Sequence, residues 1–87
     1  MARYSILIKT SATKEIETIP QRRDRRRIVS RISSLADDTR PRGCQKLAGS
    51  EERYRVRQGS YRIVYSIDDE ARVVLVVKVG HRKEVYR

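Results

Sequence analysis

Apolar and polar side chains alternate most regularly between Arg53 and Ile67, and this stretch predicts a β-hairpin. Tyr54 and Val56 alternate with Arg53, Arg55 and Arg57. After Gln58-Gly59, Tyr61, Ile63, Tyr65 and Ile67 take one parity, and Arg62, Val64 and Ser66 the other. Successive strand residues point to opposite faces, so a period of two means one buried face and one presented face. A two-residue turn at Gln58-Gly59 would pair Val56 with Tyr61 and Arg55 with Arg62, keeping apolar opposite apolar. A three-residue loop would set Val56 against Arg62 and mix the faces. In the two-residue register Arg55 faces Arg62, with Arg57 close by. Like charges directly opposite weaken a sheet. Three guanidinium groups gathered on one hairpin face therefore suggest an anionic ligand, the plainer alternative being a solvated basic face.

The rest of the chain frames this hairpin. Tyr4, Ile6 and Ile8 alternate with polar neighbours and predict a first strand. Ala12, Ile16 and Ile19 predict a short helix over residues 12–18, with Ser11 as its cap and Pro20 as its stop. Pro20 can also open the next helix, whose apolar stripe is Ile28, Val29, Ile32, Leu35 and Ala36. Gln21 to Arg27 holds five arginines and one aspartate, cations that oppose the helix dipole. Arg25 lies on the apolar side by spacing and is expected to pack its stem and keep its head in water. Residues 38–51, with Pro41, Gly43 and Gly49, read as a long connection that Leu47 tucks onto the core. Asp68-Asp69-Glu70 reads as a turn. The near-continuous apolar run from Val73 to Val79 reads as a strand in the middle of the sheet, covered on both faces, and Gly80 breaks it. The order β-α-α-β-β-β gives one α+β domain over residues 1–87, a helical hairpin packed on a mostly antiparallel sheet.

Charge narrows the partners. Twenty-one Lys and Arg against 11 Asp and Glu leave a net charge of +10. In so small a domain this favours nucleic acid, the ribosome, an anionic membrane or an acidic protein. No stretch approaches the ~20 apolar residues of a membrane span. The single cysteine, Cys44, cannot form an internal disulfide and suits a reducing cytoplasm. Cys44 has no CxxC or nearby histidine partner for a metal. The carboxylates lie at turns or beside arginines, with no paired set for metal-dependent hydrolysis, and His81 is the only histidine. Arginines, tyrosines, lysines and one histidine suit one reaction, cleavage of RNA by its own 2′-hydroxyl. The protein need only align the attacking oxygen, stabilise charge on the phosphoryl oxygens and move protons. DNA, lacking the 2′-hydroxyl, would be spared.

Several segments carry a family likeness: Lys46-Leu47-x-Gly49, Tyr54-Arg55-Val56-Arg57, Gly59-Ser60-Tyr61-Arg62-Ile63-Val64-Tyr65, and Val79-Gly80-His81-Arg82 with Val85-Tyr86. With these and its β-α-α start, the chain resembles the RelE/ParE superfamily of bacterial toxins, and more closely its RelE branch of ribosome-dependent mRNA endonucleases. The resemblance implies a toxin that cuts mRNA in the ribosomal A site and leaves a 2′,3′-cyclic phosphate, to which the residue inventory adds that it works without cofactor or metal. Its partners would be the ribosome, mRNA and a cognate antitoxin that blocks the site. By the same resemblance Arg62 would clamp the scissile phosphate, and Arg55 and Arg57 would support transition-state charge. Tyr86 would act near the 2′-hydroxyl and Arg82 near the leaving oxygen, with His81 as an alternative acid-base group. Arg22, Arg23, Arg26, Arg27 and Lys46 would contact RNA or the ribosome. Two other readings stay open. One is a ParE-like toxin that poisons DNA gyrase. The other is a non-enzymatic RNA- or ribosome-binding protein.

Overall fold

The computed structural model describes residues 3–49 and 52–81. Strand β1 (Ser5–Ile8) leads into helices α1 (Thr10–Glu17) and α2 (Arg22–Ser34). Strands β2 (Gln45–Lys46), β3 (Arg53–Gln58), β4 (Tyr61–Asp68) and β5 (Val73–His81) follow. The five strands form one sheet in the order β1-β5-β4-β3-β2. β1 runs parallel to β5, and every other pairing is antiparallel. Both helices pack on one face. The core joins Ala12, Ile16 and Ile19 from the first helical segment and Ile28, Ile32 and Leu35 from the second. The sheet supplies Tyr54, Val56, Ile63, Tyr65, Ile67, Val74, Val76 and Val79. The expected α+β class and helical hairpin are thus present, with one strand more than the pattern announced. Among the described residues no helix is long and apolar enough to cross a membrane.

Several details differ from expectation, each for a local reason. α1 starts at Thr10 with Lys9 in the capping position, so Ser11 lies inside the first turn and caps nothing. Pro20 lies before α2, whose cap is Gln21. Val29 is half exposed, because the buried stripe is Ile28, Ile32 and Leu35, and i+1 lies 100° off it. Arg25 is half-buried, and its head group is held as well as solvated. Its guanidinium donates to the Ile19 carbonyl at 2.5 Å and the Pro20 carbonyl at 3.4 Å, closing the link between the helices. Within the expected connection over 38–51, Gln45 and Lys46 pair with Arg55 and Tyr54. Leu47 is only half-buried and donates its backbone N–H to Arg53 instead.

β5 lies between β1 and β4 as expected, but it is fully covered only on the helix side. Val74, Val76 and Val79 are buried, while Val73, Leu75 and Val77 are half-buried. Its inward positions skip from 76 to 79 because Tyr65 pairs with Val76 and Val64 with Lys78, leaving Val77 as a bulge. The extra residue turns Val79, rather than Lys78, into the core. β1 stops opposite Val76, so the β5 edge beyond it lacks a β1 partner. Glu15 on α1 fills the gap. One carboxylate oxygen accepts the Val79 N–H at 3.0 Å and the other the Lys78 ammonium at 2.9 Å.

The opposite end of the sheet is tied by a chain of polar contacts. The Tyr4 hydroxyl donates to Asp69 at 2.6 Å, and Arg40 donates to Asp69 at 3.0 Å and to the Tyr54 hydroxyl at 3.3 Å. Tyr54 in turn donates to Glu52, which also accepts Lys46 at 3.3 Å. The Arg40 guanidinium and the Tyr4 hydroxyl hold the Asp69 carboxyl below its ordinary range. Tyr65 stacks on Tyr54 with ring centres 5.9 Å apart and donates to the Thr39 carbonyl at 2.8 Å. Burial pushes its phenol well above the usual value.

Candidate active site

The face of the β3–β4 hairpin turned away from the helices carries the arginines, but their register differs from the expected one. Gln58 pairs with Tyr61, Arg57 with Arg62, Val56 with Ile63 and Arg55 with Val64. The turn is therefore Gly59-Ser60, not Gln58-Gly59. Gly59 stands at φ +60°, and Ser60 is not among the positive-φ residues. That arrangement is a type II′ turn, which wants glycine at its first central position. Sliding the register by two preserves the faces, so the alternation alone could not distinguish the two turns. The chemical consequence is that Arg57, not Arg55, faces Arg62.

The two facing residues sit in different surroundings. Arg62 is 4% exposed and Arg55 5%, whereas Arg57 is exposed. A hairpin edge that held only solvated cations would leave all three in water. Arg55 is also oriented, its guanidinium donating to the side-chain carbonyl of Gln45 on β2. Gln45 was not anticipated as part of the site, since a two-residue strand has no periodicity to detect. Arg62 and Arg55 are diagonal neighbours across the strand pair, within reach for long side chains. The face therefore presents two sheltered guanidinium groups and one exposed one. Such a surface suits a phosphate, which a planar guanidinium can hold through paired N–H donors.

His81 is not brought together with these arginines. It pairs with Tyr61 on the helix side of the sheet, ring centres 5.8 Å apart and edge-on. There it lines a cavity of about 200 Å³ with Glu15, Thr18, Ile19, Pro20, Tyr61, Val79 and Gly80. Arg82 and Tyr86 lie outside the described residues. Among the expected RNA contacts, Arg22, Arg23, Arg26 and Arg27 are exposed on α2. Arg22 and Arg26 line a groove between the helices with Ile16 and the half-exposed Val29. Lys46 is exposed on β2, at the sheet edge, and pairs with Glu52.

A sequence model described as the ParE toxin of the type II toxin-antitoxin system parDE matches residues 6–86. The chain belongs to this toxin family. The toxin is 29% identical over 87 residues to Toxin RelG of Mycobacterium tuberculosis, with 97% of each chain covered. Its fold superposes on the toxin of an archaeal RelE–RelB complex from Pyrococcus horikoshii with a TM-score of 0.81 and 28% identity, covering 94% of this chain and 97% of that one. The isolated RelE toxin of E. coli gives a TM-score of 0.77 and 29% identity, covering 95% and 90%. These neighbours put the toxin on the RelE-like side of the RelE/ParE superfamily, as the hairpin and terminal motifs implied. In this RelE-like toxin the arginine-bearing face and the helix-side His81 cavity are separated by the thickness of the sheet.

Proposed function

We propose that this toxin is an endoribonuclease that cleaves mRNA in the ribosomal A site and needs no metal. The observation that carries the reading is the direct pairing of Arg57 with Arg62, with Arg55 diagonal to them on the same face. The substrate's 2′-oxygen attacks the adjacent phosphorus, the P–O5′ bond breaks, and the products are a 2′,3′-cyclic phosphate and a 5′-hydroxyl. Arg62 clamps the scissile phosphate. Arg55, held by Gln45, and Arg57 stabilise the charge that builds on the phosphoryl oxygens. By family resemblance Tyr86 takes the 2′-hydroxyl proton, and Arg82 sits beside the leaving oxygen and stabilises its charge until water protonates it to the 5′-hydroxyl. His81, on the far face of the sheet, has no part in this scheme. The exposed arginines of α2 hold the toxin to ribosomal RNA. RelE relatives have been solved with RelB, and a cognate antitoxin covering the arginine face would silence this toxin in the cytoplasm.

The test is a ribosome programmed with a defined mRNA. Arg62→Ala should abolish cleavage while leaving ribosome affinity nearly unchanged, and a 2′-deoxy nucleotide at the scissile position should block the wild-type toxin. Cutting by Arg62→Ala at the wild-type rate would reject the site. The matching family model bears the ParE name, which favours one second reading, gyrase poisoning. DNA breaks dependent on gyrase, with mRNA intact, would select it.

A further inference from the structure

On the helix side of the sheet, Arg27, Ser30, Arg31, Ser34 and Gln58 line an open cavity of about 340 Å³. The four α2 residues are spaced three and four apart, so they share one helix face. Gln58 closes the cavity from the end of β3. No carboxylate lines it. Arg27 is exposed and Arg31 half-buried, yet the Arg31 Nε–H is buried without a hydrogen-bond partner among the described residues. Buried polar groups are nearly always paired, so this one calls for an explanation, and an ion held by the same guanidinium is one. The Ser34 hydroxyl is already spent on the Arg31 carbonyl at 2.6 Å. The donors left for a ligand are the Arg27 and Arg31 guanidinium groups, the Ser30 hydroxyl and the Gln58 amide. This set recognises an anion with several acceptor oxygens.

We propose that this cavity is a second phosphate site, holding a backbone phosphate of RNA distinct from the one that is cut. Gln58 directly follows Arg57, so neighbouring residues put the cavity and the arginine face on opposite sides of one strand end. β2 pairs with only Arg55 and Tyr54, leaving the β3 edge from Val56 to Gln58 without a β2 partner. RNA lying across that edge reaches both sites. The contacts go to phosphate and carry no base information; they fix orientation. The inference rests on the reading of this toxin as an RNA-directed protein, but its test does not require cleavage.

Binding is measured with a 2′-O-methyl RNA oligonucleotide, which cannot be cut, by fluorescence anisotropy over a range of salt. Arg31→Gln should weaken binding equally for several sequences and reduce the salt slope by about 0.7, the loss of one phosphate contact on a single strand. Ser30→Glu, at an exposed position, should do the same by filling the cavity with a carboxylate, and it guards against misfolding of the Arg31 variant. The buried Arg31 Nε–H should exchange slowly enough to follow by NMR and should shift when this RNA, or inorganic phosphate, is added. Wild-type affinity and slope in both variants, with no shift at Arg31, would overturn the site whether or not the toxin cuts RNA. Weakened antitoxin binding with RNA binding untouched would also overturn it, in favour of an acidic protein partner. A wild-type toxin that binds but never cuts would instead reject the cleavage reading and leave this site standing.

Discussion

Replacing Arg57 by glutamine should make the toxin more stable and less active at once. Arg57 faces Arg62 directly across the β3–β4 pair and makes no ion pair among the described residues. Cross-strand partners hold their Cβ atoms about 4.5–5.5 Å apart, and the flexible guanidinium groups can spread to roughly 7 Å. At an effective dielectric constant of about 40–80, two unit charges at that distance repel by about 0.6–1.2 kcal/mol. Removing one should raise the melting temperature by roughly 2–10 °C, since 1 kcal/mol moves a domain of this size by ~4–8 °C. Urea unfolding, which adds no ions, should show the gain at ~0.01 M salt. At ~1 M, where the Debye length falls from about 30 to about 3 Å, most of it should vanish. Arg42→Gln, at an exposed position in the α2–β2 connection, controls for the general relief of a net charge of +10. The same Arg57 variant should cleave more slowly by about 10²–10³, the usual loss for one preorganised donor at a developing charge. A variant that is destabilised, or whose gain is equal at both salt concentrations or matched by Arg42→Gln, would rule out a local repulsion between Arg57 and Arg62.

Three further outcomes follow from the packing. Glu15→Ala should cost about 1–3 kcal/mol, because it leaves the Val79 N–H without its acceptor; the Val79 amide should exchange faster while amides in β4 change little. Ile28→Ala, at a fully buried position, should cost about 2–5 kcal/mol in urea unfolding, whereas Val29→Ala next to it should fall within about 0.5 kcal/mol of wild type. Asp69→Asn should lower the urea midpoint at pH 7. The folded-state pKa of Asp69 is depressed, so its contribution is present above the ordinary carboxyl value near 3.8 and is lost as pH falls through the folded value; the gap between wild type and variant should be constant above that value and narrow as pH falls below it, and a gap that never narrows would exclude the linkage.

The sequence made the faces of the hairpin readable and its register unreadable. Period two assigns Tyr54, Val56, Ile63 and Tyr65 to the core under either turn, because the two registers differ by two residues and two is the period. What decides between them is glycine chemistry: Gly59-Ser60 places glycine first in a type II′ turn, while Gln58-Gly59 places it second. The Gly-Ser pair was the available signal. Val29 was misplaced because adjacency to Ile28 imitates a wide stripe. β2 was missed because two residues carry no period. The Val77 bulge hides inside an unbroken apolar run, where no polar residue marks the change of parity. Arg25 and Gln45 were legible as polar residues but not as the partners of particular atoms, since those contacts depend on distant chain segments meeting. The arginine cluster itself was legible, because local alternation alone forces Arg55, Arg57 and Arg62 onto one face.

Whether those arginines cut RNA on the ribosome can be read by inducing the toxin from a tightly repressed promoter and mapping mRNA 5′ ends by primer extension. New ends should appear inside translated frames and should disappear when translation is blocked and when Arg62 is replaced by alanine. Growth arrest with every transcript intact would contradict cleavage of RNA.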